Sequence, residues 1–554
     1  MTTITRITRR TLLRASLASA VIAVGARPLA PLLVPDARAA GQSFVPDVSI
    51  ELHARPDRLN LLSGPATSVW RYDGKVVHGD PHALSFLSDG CAPVVRVHRG
   101  QKVRIEFVND LPEPTIVHWH GLLVPASMDG HPGDAIATNQ RYVYEFEILN
   151  RAGTYWFHAH PDGRTGAQIY QGQAGFLLVD DDEQAALALP GGVYDVPLMI
   201  QDRKIDNTNQ FVYLTQRTGG MMGGRGMMGS PGMMGGGMMG RGMMNGQAGE
   251  GAAGGGMDDM MAQMMGFLGD RILVNGRPNY VLPVATRAYR FRLLNASNSR
   301  IYKLAWRDGS PLTVIGTDGG LLDRPLRRRY VTLGPAERFD LWVDFSDKPT
   351  GTVLTLESQA FAGDVAMGGM MTQTSLPMGA RFPVLTVKVA RRERGNDVLP
   401  AMLARIPAAR SRDAINFMQP RSFGITMRMM TWGIDGRRFE MNGVSLAETV
   451  KAGTTEIWEF RNDESMMLMA HAMHVHGVQF RVLERAVDAD FAAARRTLSD
   501  GYVDDGWKDT VFMMPGERVR LLLHFGERRG MYLYHCHMLE HEDSGLMRNY
   551  LVER

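Results

Sequence analysis

The sequence predicts an all-β protein built from Greek-key β-sandwiches. Apolar and polar side chains alternate through much of residues 45–183, and Gly, Pro and Asp punctuate the alternation. Because successive side chains of a strand point to opposite faces, this pattern indicates strands with one buried face. Residues 190–395 and 421–554 repeat the pattern, and a chain of 554 residues has room for three or four domains.

Residues 1–40 have the features of an export signal. Arg9 and Arg10 precede an apolar run that includes residues 18–24, and residues 37–39 form a small-residue cleavage pattern. The run is too short for a good membrane span. We therefore expect twin-arginine export to the periplasm and no stable membrane insertion. The net charge of +3 gives no indication of a nucleic-acid partner, and we expect a monomer.

Residues 532–537, Tyr-Leu-Tyr-His-Cys-His, have the composition of a strand that ends in a polar turn. On a strand His535 and His537 point to one face and Cys536 points to the other. His541 follows after a turn and can return to the side of Cys536. One Cys and two His are the ligands of a blue, electron-transfer copper, so this strand can serve two metal sites at once.

Three further His-x-His pairs occur in the chain, and each places both imidazoles on one face if it lies on a strand. Together with His471 and His541, the four pairs account for ten of the 16 histidines. Such clustering is not expected from structural histidines alone. The three further pairs are His118 with His120, His158 with His160, and His474 with His476.

With these motifs the sequence resembles the multicopper oxidases, and most closely the periplasmic copper-efflux (cuprous) oxidases and the bacterial laccases. Residues 166–182, 291–295 and 506–511 extend the resemblance over nearly the whole mature chain. It implies three cupredoxin-like domains. We expect domain 1 at 41–185, domain 2 at 186–395, a linker at 396–420, and domain 3, with the type 1 copper, at 421–554.

The resemblance also implies four copper ions and the residues that bind them. It implies a type 1 copper at His471, Cys536 and His541, and a type 2 copper at His118 and His474. The binuclear type 3 pair takes the other six histidines of the motifs: His120, His158, His160, His476, His535 and His537.

Two acidic residues match positions that the family uses as proton relays. Asp129 lies nine residues after His120, and Glu542 is adjacent to His541. Each residue also fits a simpler role in a hydrogen-bonded turn, since Asp129 precedes Gly130 in a common turn pair. Cys536 is expected to be the point of electron entry.

The sequence departs from the family at the axial position of the type 1 copper. The family's axial methionine, where present, falls five residues after the last histidine of the signature. That residue is Leu546 here, and Met547 follows it. We favour Leu546 as a non-coordinating neighbour, which would raise the potential of the copper. A one-residue bulge would instead bring Met547 to the metal.

A Met-rich insertion at 218–266 interrupts domain 2. Thioethers select Cu(I), so the insertion is a candidate for copper collection; a low-complexity insert and a packing face are the alternatives. Near His471 lie Glu464, Met466, Met467 and Met469, which are a second candidate site for Cu(I); apolar packing around the type 1 position is the alternative. The candidate thioethers of the insertion are Met221, Met222, Met227, Met228, Met260 and Met261.

The sequence therefore predicts an oxidoreductase that couples one-electron oxidation of Cu(I), and of phenols, to the four-electron reduction of O2 to water, with a role in copper tolerance. Two alternatives remain open. The first is a general laccase that acts on phenols, and the second is a Met-rich protein that sequesters copper. The complete ligand set argues against a third, a catalytically silent scaffold.

Overall fold

Strands dominate the structure, and the all-β prediction is confirmed. A computed structural model of the chain describes residues 44–87, 90–214, 255–365, 374–395 and 397–554. Val45–Arg554 forms one compact unit. The export signal at 1–40 and most of the Met-rich insertion lie outside the described residues.

The first sandwich pairs a sheet of order β2-β1-β5-β7 with one of order β3-β4-β9-β8-β6. Its apolar strand faces meet in a core that includes Phe107, Trp119 and Phe157. Two helices, α1 (Thr165–Gln171) and α2 (Asp182–Ala185), accompany it. The strands are β1 (Val48–Leu59), β2 (Thr67–His78), β3 (Leu84–Phe86), β4 (Pro93–His98), β5 (Lys102–Asn109), β6 (Val117–His118), β7 (Arg141–Glu147), β8 (Gly153–Ala159) and β9 (Ala174–Asp180).

The second sandwich contains the larger sheet of order β13-β12-β10-β15-β20-β17-β18, with β11 on β10, and a sheet of order β14-β22-β21-β16-β19. Helix α3 (Gly255–Met265) lies between β11 and β12 in the chain. The strands are β10 (Asp195–Ile205), β11 (Phe211–Val212), β12 (Arg271–Val274), β13 (Arg277–Pro278), β14 (Val281–Ala285), β15 (Ala288–Asn295), β16 (Tyr302–Trp306), β17 (Leu312–Thr317), β18 (Gly320–Arg328), β19 (Val331–Leu333), β20 (Arg338–Asp344), β21 (Val353–Ser358) and β22 (Phe382–Arg391).

The third sandwich pairs sheets of order β24-β23-β26-β30-β28 and β25-β32-β31-β27-β29. Helices α4 (Ala492–Arg496) and α5 (Leu539–Asp543) are short. The strands are β23 (Arg421–Arg428), β24 (Thr431–Ile434), β25 (Thr449–Lys451), β26 (Thr455–Arg461), β27 (His471–Val475), β28 (Phe480–Val487), β29 (Thr510–Met513), β30 (Glu517–His524), β31 (Gly530–Cys536) and β32 (Met547–Glu553).

The core of the third sandwich includes side chains from outside it. Met264 and Met265 of α3 are buried among the residues that surround Cys536, although α3 belongs to the chain segment of the second sandwich. The packing of α3 therefore brings the end of the Met-rich insertion to the predicted blue-copper strand. Within the described residues, no helix is long and apolar enough to cross a membrane.

Candidate metal centres

Strand β31 divides the predicted ligands between its two faces. It lies in the middle of its sheet, between β32 and β27. His474 is opposite His535 in the β27–β31 register, and Met473 is opposite Cys536. Directly opposite residues of antiparallel strands share a face. The histidine side of β31 therefore faces one site, and the cysteine side faces another.

Cys536 and two imidazoles converge in a pocket on the cysteine side. The Sγ atom of Cys536 lies 3.4 Å from His471 Nδ1 and 3.8 Å from His541 Nδ1. All three side chains are 0% exposed. Burial raises the pKa of the Cys536 thiol to about 12, and a bound cation is what converts such a thiol to a thiolate at neutral pH.

The pairing of β31 with β32 shows which of Leu546 and Met547 lies on the same side as Cys536. Met547 is opposite His535 in the β31–β32 register, so its side chain lies on the histidine face. The backbone N–H of Cys536 donates to the carbonyl of Leu546 at 3.0 Å, and Leu546 belongs to the core cluster that contains Cys536. Leu546 is therefore the residue on the cysteine side, and the register leaves no bulge that would exchange it with Met547.

Helix α3 and Trp432 close the cysteine pocket. The carbonyl of Met264 accepts hydrogen bonds from His541 Nε2 and from Trp432 Nε1, both at 3.1 Å. The Trp432 ring lies 4.8 Å from the rings of both His471 and His541. This tryptophan was missed by sequence reasoning, because it lies outside every metal motif.

Eight imidazoles form a second cluster between the first and third sandwiches. The β6–β8 register pairs His118 with His158, and β27 and β31 contribute from the other side. All eight side chains are at most 1% exposed. They are the predicted type 2 and type 3 ligands, His118, His120, His158, His160, His474, His476, His535 and His537.

The imidazoles of this cluster face one another in pairs across short gaps. His118 Nε2 and His474 Nε2 are 3.4 Å apart. His476 Nε2 and His535 Nε2 are 2.9 Å apart. A third gap, of 3.4 Å, separates Nδ1 of His120 from Nε2 of His158. His537 Nε2 lies 3.3 Å from His158 Nε2. His160 Nε2 lies 3.4 Å from His535 Nε2.

In six of the eight rings the opposite nitrogen donates its proton to the protein. His118 Nδ1 donates to the backbone carbonyl of Asp129 at 2.7 Å, and His474 Nδ1 donates to that of Asp509 at 2.7 Å. His476 Nδ1 donates to the Asp129 carboxylate at 2.7 Å, and the same nitrogen of His535 donates to a carbonyl at 3.1 Å. A neutral imidazole that donates from one nitrogen presents a lone pair at the other. Lone pairs therefore face lone pairs across the gaps.

This arrangement fits metal ions. Facing lone pairs repel one another unless a cation lies between them, and metal-bound histidines donate their other nitrogen in this way. Burial lowers the pKa of His474 to about 3 and that of His160 to about 4, which keeps the imidazoles neutral, as metal ligands must be. The chemistry of the donors suits copper at both sites.

An ion pair between Arg338 of the second sandwich and Asp509 of the third holds the ring of His120 in place. His120 Nε2 donates to Asp509 Oδ1 at 3.0 Å, so its Nδ1 faces the metal position. Arg338 of β20 holds both oxygens of Asp509, at 2.8 and 2.5 Å, and all three side chains are 0% exposed. A Cβ at Gly121, the residue after His120, would lie 2.2 Å from the same carboxylate. The residue stretch 506–511 signalled Asp509 in the sequence, whereas nothing in the sequence signalled Arg338.

The two predicted relay carboxylates both contact the imidazole cluster. Asp129 Oδ2 accepts from His476, and Glu542 Oε2 lies 3.0 Å from His535 Nδ1. Glu542 Oε1 also lies 3.5 Å from His160 Nε2. Burial alone would raise the pKa of Glu542, but the imidazoles of His535 and His160 lower it to about 2.

The candidate Cu(I) residues are not gathered into one cluster. Glu464 forms an ion pair with Arg461, while Met469 is buried in the core around Cys536 and Met467 packs against that core. In helix α3, Met260 is exposed and Met261 is half-buried against the same core. The other four candidates, Met221, Met222, Met227 and Met228, lie outside the described residues.

Comparison with known proteins decides the family. Two family models described as multicopper oxidase match the chain, one over residues 85–184 and the other over residues 415–554. The McoA multicopper oxidase of the hyperthermophile Aquifex aeolicus is 30% identical, with a TM-score of 0.71, over 92% of this chain and 97% of that one. The chain belongs to the multicopper oxidase family. The resemblance drawn from the motifs is thereby confirmed, as are the cupredoxin-like domains.

Other relatives carry different names. A laccase of Bacillus stratosphericus is 29% identical over 87% of this chain and 90% of its own length. The cell division protein FtsP of Escherichia coli is 28% identical over 89% of this chain and 87% of its own length. Family membership thus makes the chain a copper-dependent oxidoreductase with O2 as acceptor, while the substrate has to be argued from this chain's own residues.

Proposed function

We propose that this multicopper oxidase is foremost a cuprous oxidase, which oxidises Cu(I) and acts on phenols more slowly. The observation that carries this proposal is the closed cysteine pocket. His471 and His541 are both 0% exposed, and helix α3 lies against them. A phenol cannot touch either imidazole while α3 is in place.

Thioethers surround the same pocket. Soft sulfur ligands select Cu(I), and uncharged thioethers hold the harder Cu(II) poorly. The surroundings of this pocket therefore suit a cuprous ion better than a bulky aromatic molecule. The buried methionines of this core include Met264, Met265, Met427, Met469, Met473 and Met538.

We further propose four resident copper ions, at the ligands that the motifs imply. Copper bound there would supply one-electron acceptance at Cys536 and four-electron reduction of O2 to water at the eight imidazoles. The backbone joins Cys536 directly to His535 and His537, so the chain itself provides a short covalent path between the two sites. Leu546, 0% exposed beside Cys536, is proposed as the non-coordinating axial neighbour.

Asp129 and Glu542 are proposed as the carboxylates that relay protons to the oxygen chemistry at the imidazole cluster. Each is at most 2% exposed and has an oxygen within 3.0 Å of a cluster imidazole, His476 Nδ1 for Asp129 and His535 Nδ1 for Glu542. These contacts place both carboxylates beside the cluster where the proposed reduction of O2 consumes protons. The export signal, the periplasmic location and the monomeric state also remain proposals.

Oxygen uptake with Cu(I) as the sole electron donor tests the function. The proposal predicts sustained uptake, with one O2 consumed for every four Cu(I) ions oxidised. A protein that only sequesters copper would bind Cu(I) and consume no oxygen beyond the background. Oxidation of phenols without oxidation of Cu(I) would identify a general laccase instead.

A further inference from the structure

The hairpin of β23 and β24 ends in an unusual turn. Arg428 and Thr431 are the last paired residues, so Met429 and Met430 form a two-residue loop. Their φ angles are 46° and 64°. Two-residue hairpin loops with both residues in this left-handed region favour Asn-Gly, because most side chains are strained there. Methionine at both positions therefore costs stability, and such local strain is often retained for function.

Neither turn methionine is packed into the protein. Met429 is 93% exposed and Met430 is 51% exposed. A third methionine, Met466, is 84% exposed and lies close to the hairpin, because the Met427 N–H donates at 3.0 Å to the hydroxyl of the adjacent Ser465. The surface beside the hairpin thus presents three thioethers, which we name the outer methionine site.

The hairpin leads from this site to the blue-copper pocket. Met427 and Trp432 are opposite each other in its register, two residues from the turn methionines, or roughly 7 Å at the rise of a strand. The centroid of the Trp432 ring lies 4.8 Å from that of His471, edge to face, and 4.8 Å from that of His541, in a tilted arrangement. Met427 is buried in the core that surrounds Cys536, so thioethers continue inward from the surface.

We propose that Met429, Met430 and Met466 bind Cu(I) as an outer docking site for the substrate. This inference rests on the proposed cuprous oxidase function and deepens it. Each docked Cu(I) becomes Cu(II) and gives one electron to the cysteine pocket; four electrons and four protons then reduce one O2 to two H2O. The product Cu(II) leaves because uncharged thioethers hold it poorly.

The double variant Met429→Asn with Met430→Gly separates a binding role from a structural one. Asn-Gly is the preferred sequence for this turn, so the melting temperature should stay the same or rise. A binding role predicts that KM for Cu(I) rises several-fold and that the rate ratio of Cu(I) to phenol falls. Met466→Asn should move the same ratio in the same direction.

Met418→Asn is the matched control. Met418 is 82% exposed, but it lies before β23, and the eight residues of that strand, roughly 25 Å long, separate it from the turn. This variant should leave KM for Cu(I) at the wild-type value. An equal rise in Met418→Asn would show that any exposed methionine has this effect, which would overturn the site.

Titration of the copper-loaded enzyme with Ag(I), a redox-inert ion of similar softness, tests binding without turnover. Wild type should bind at least one more equivalent of Ag(I) than the double variant. Equal Ag(I) binding and equal KM for Cu(I) would overturn the outer methionine site alone. Failure of wild type to oxidise Cu(I), with normal phenol oxidation, would overturn the proposed function, and the Ag(I) titration would still decide on the site.

Discussion

The cysteine pocket and the imidazole cluster lie on opposite faces of one strand, yet they are built in different ways. The cysteine pocket is lined by thioethers, an indole and Leu546, and a helix from another sandwich covers it. The imidazole cluster lies between two sandwiches, and carboxylates hold it: Asp129, Glu542 and the Asp509–Arg338 pair. The first environment is soft and apolar, and the second is polar and hydrogen-bonded.

Under the proposed function, this difference separates substrate choice from oxygen chemistry within one fold. Reduction of oxygen needs protons and rigid ligands, which carboxylates and ion pairs supply. Acceptance of one electron from a soft cation needs neither, so the cysteine pocket can be covered and tuned independently. Variants of the two regions should therefore have separable effects.

The largest effect is expected from Cys536→Ser. Loss of the thiolate should abolish the blue absorbance and the oxidation of both Cu(I) and phenols, because the charge-transfer band and the electron path both need sulfur. The fold should remain, since the exchange is nearly isosteric. Absorbance, circular dichroism and oxygen uptake check this; phenol oxidation at the wild-type rate would contradict the assignment.

Arg338→Met should damage the imidazole cluster while it spares the cysteine pocket. It leaves the Asp509 carboxylate buried without its partner, a change that costs about 3–5 kcal/mol of stability, and frees the ring of His120. Loss of such supporting contacts typically lowers metal affinity or activity by about 10–100-fold. Copper content and oxygen uptake should fall, and the blue absorbance should persist.

Two further variants control for this result. Arg338→Lys should recover part of the activity, because it keeps the charge and loses the paired contact. Asp323→Asn removes a surface ion pair with Arg324, whose side chain is 71% exposed, and should change stability by less than about 1 kcal/mol. A drop in copper content in Asp323→Asn would show that charge changes in this sandwich act non-specifically.

A smaller effect is expected from Trp432→Phe. Phenylalanine keeps the aromatic ring but removes the hydrogen bond to the Met264 carbonyl, which is worth about 1 kcal/mol. That loss favours opening of α3 by about fivefold, so phenol oxidation should accelerate by a similar factor. Trp306→Phe, in the core of the second sandwich, is the control and should leave the phenol rate unchanged.

The smallest effect concerns the axial position. Leu546→Met should lower the potential of the blue copper, because a thioether would then be available on the cysteine side. Met547→Leu should barely change the potential, since Met547 lies on the histidine face. Redox titration of both variants checks this, and a large shift from Met547→Leu alone would identify Met547 as the ligand.

Much of the site could be predicted from the sequence, because strand periodicity is local. The alternation around Cys536 was enough to predict that His535 and His537 face one site and that His541 returns to another. The family match confirms the fold class and the enzyme class. The assignment of each histidine to a particular copper stays a prediction, which the facing lone pairs support.

The supporting residues could not be predicted, because they are adjacent only in the folded chain. Arg338 lies 171 positions from Asp509, and Met264 lies 277 positions from His541. Neither forms part of a motif, since an arginine in a strand and a backbone carbonyl have no sequence signature. The exposed turn at Met429 and Met430 became visible only through its backbone angles.

The central claim is that the covered, thioether-lined pocket selects Cu(I). The most direct measurement is kcat/KM for Cu(I) and for a bulky phenol in one preparation of wild type, repeated for Trp432→Phe. The structure predicts that wild type prefers Cu(I) and that Trp432→Phe shifts the ratio toward the phenol. A wild-type preference for the phenol, unchanged in the variant, would contradict the claim.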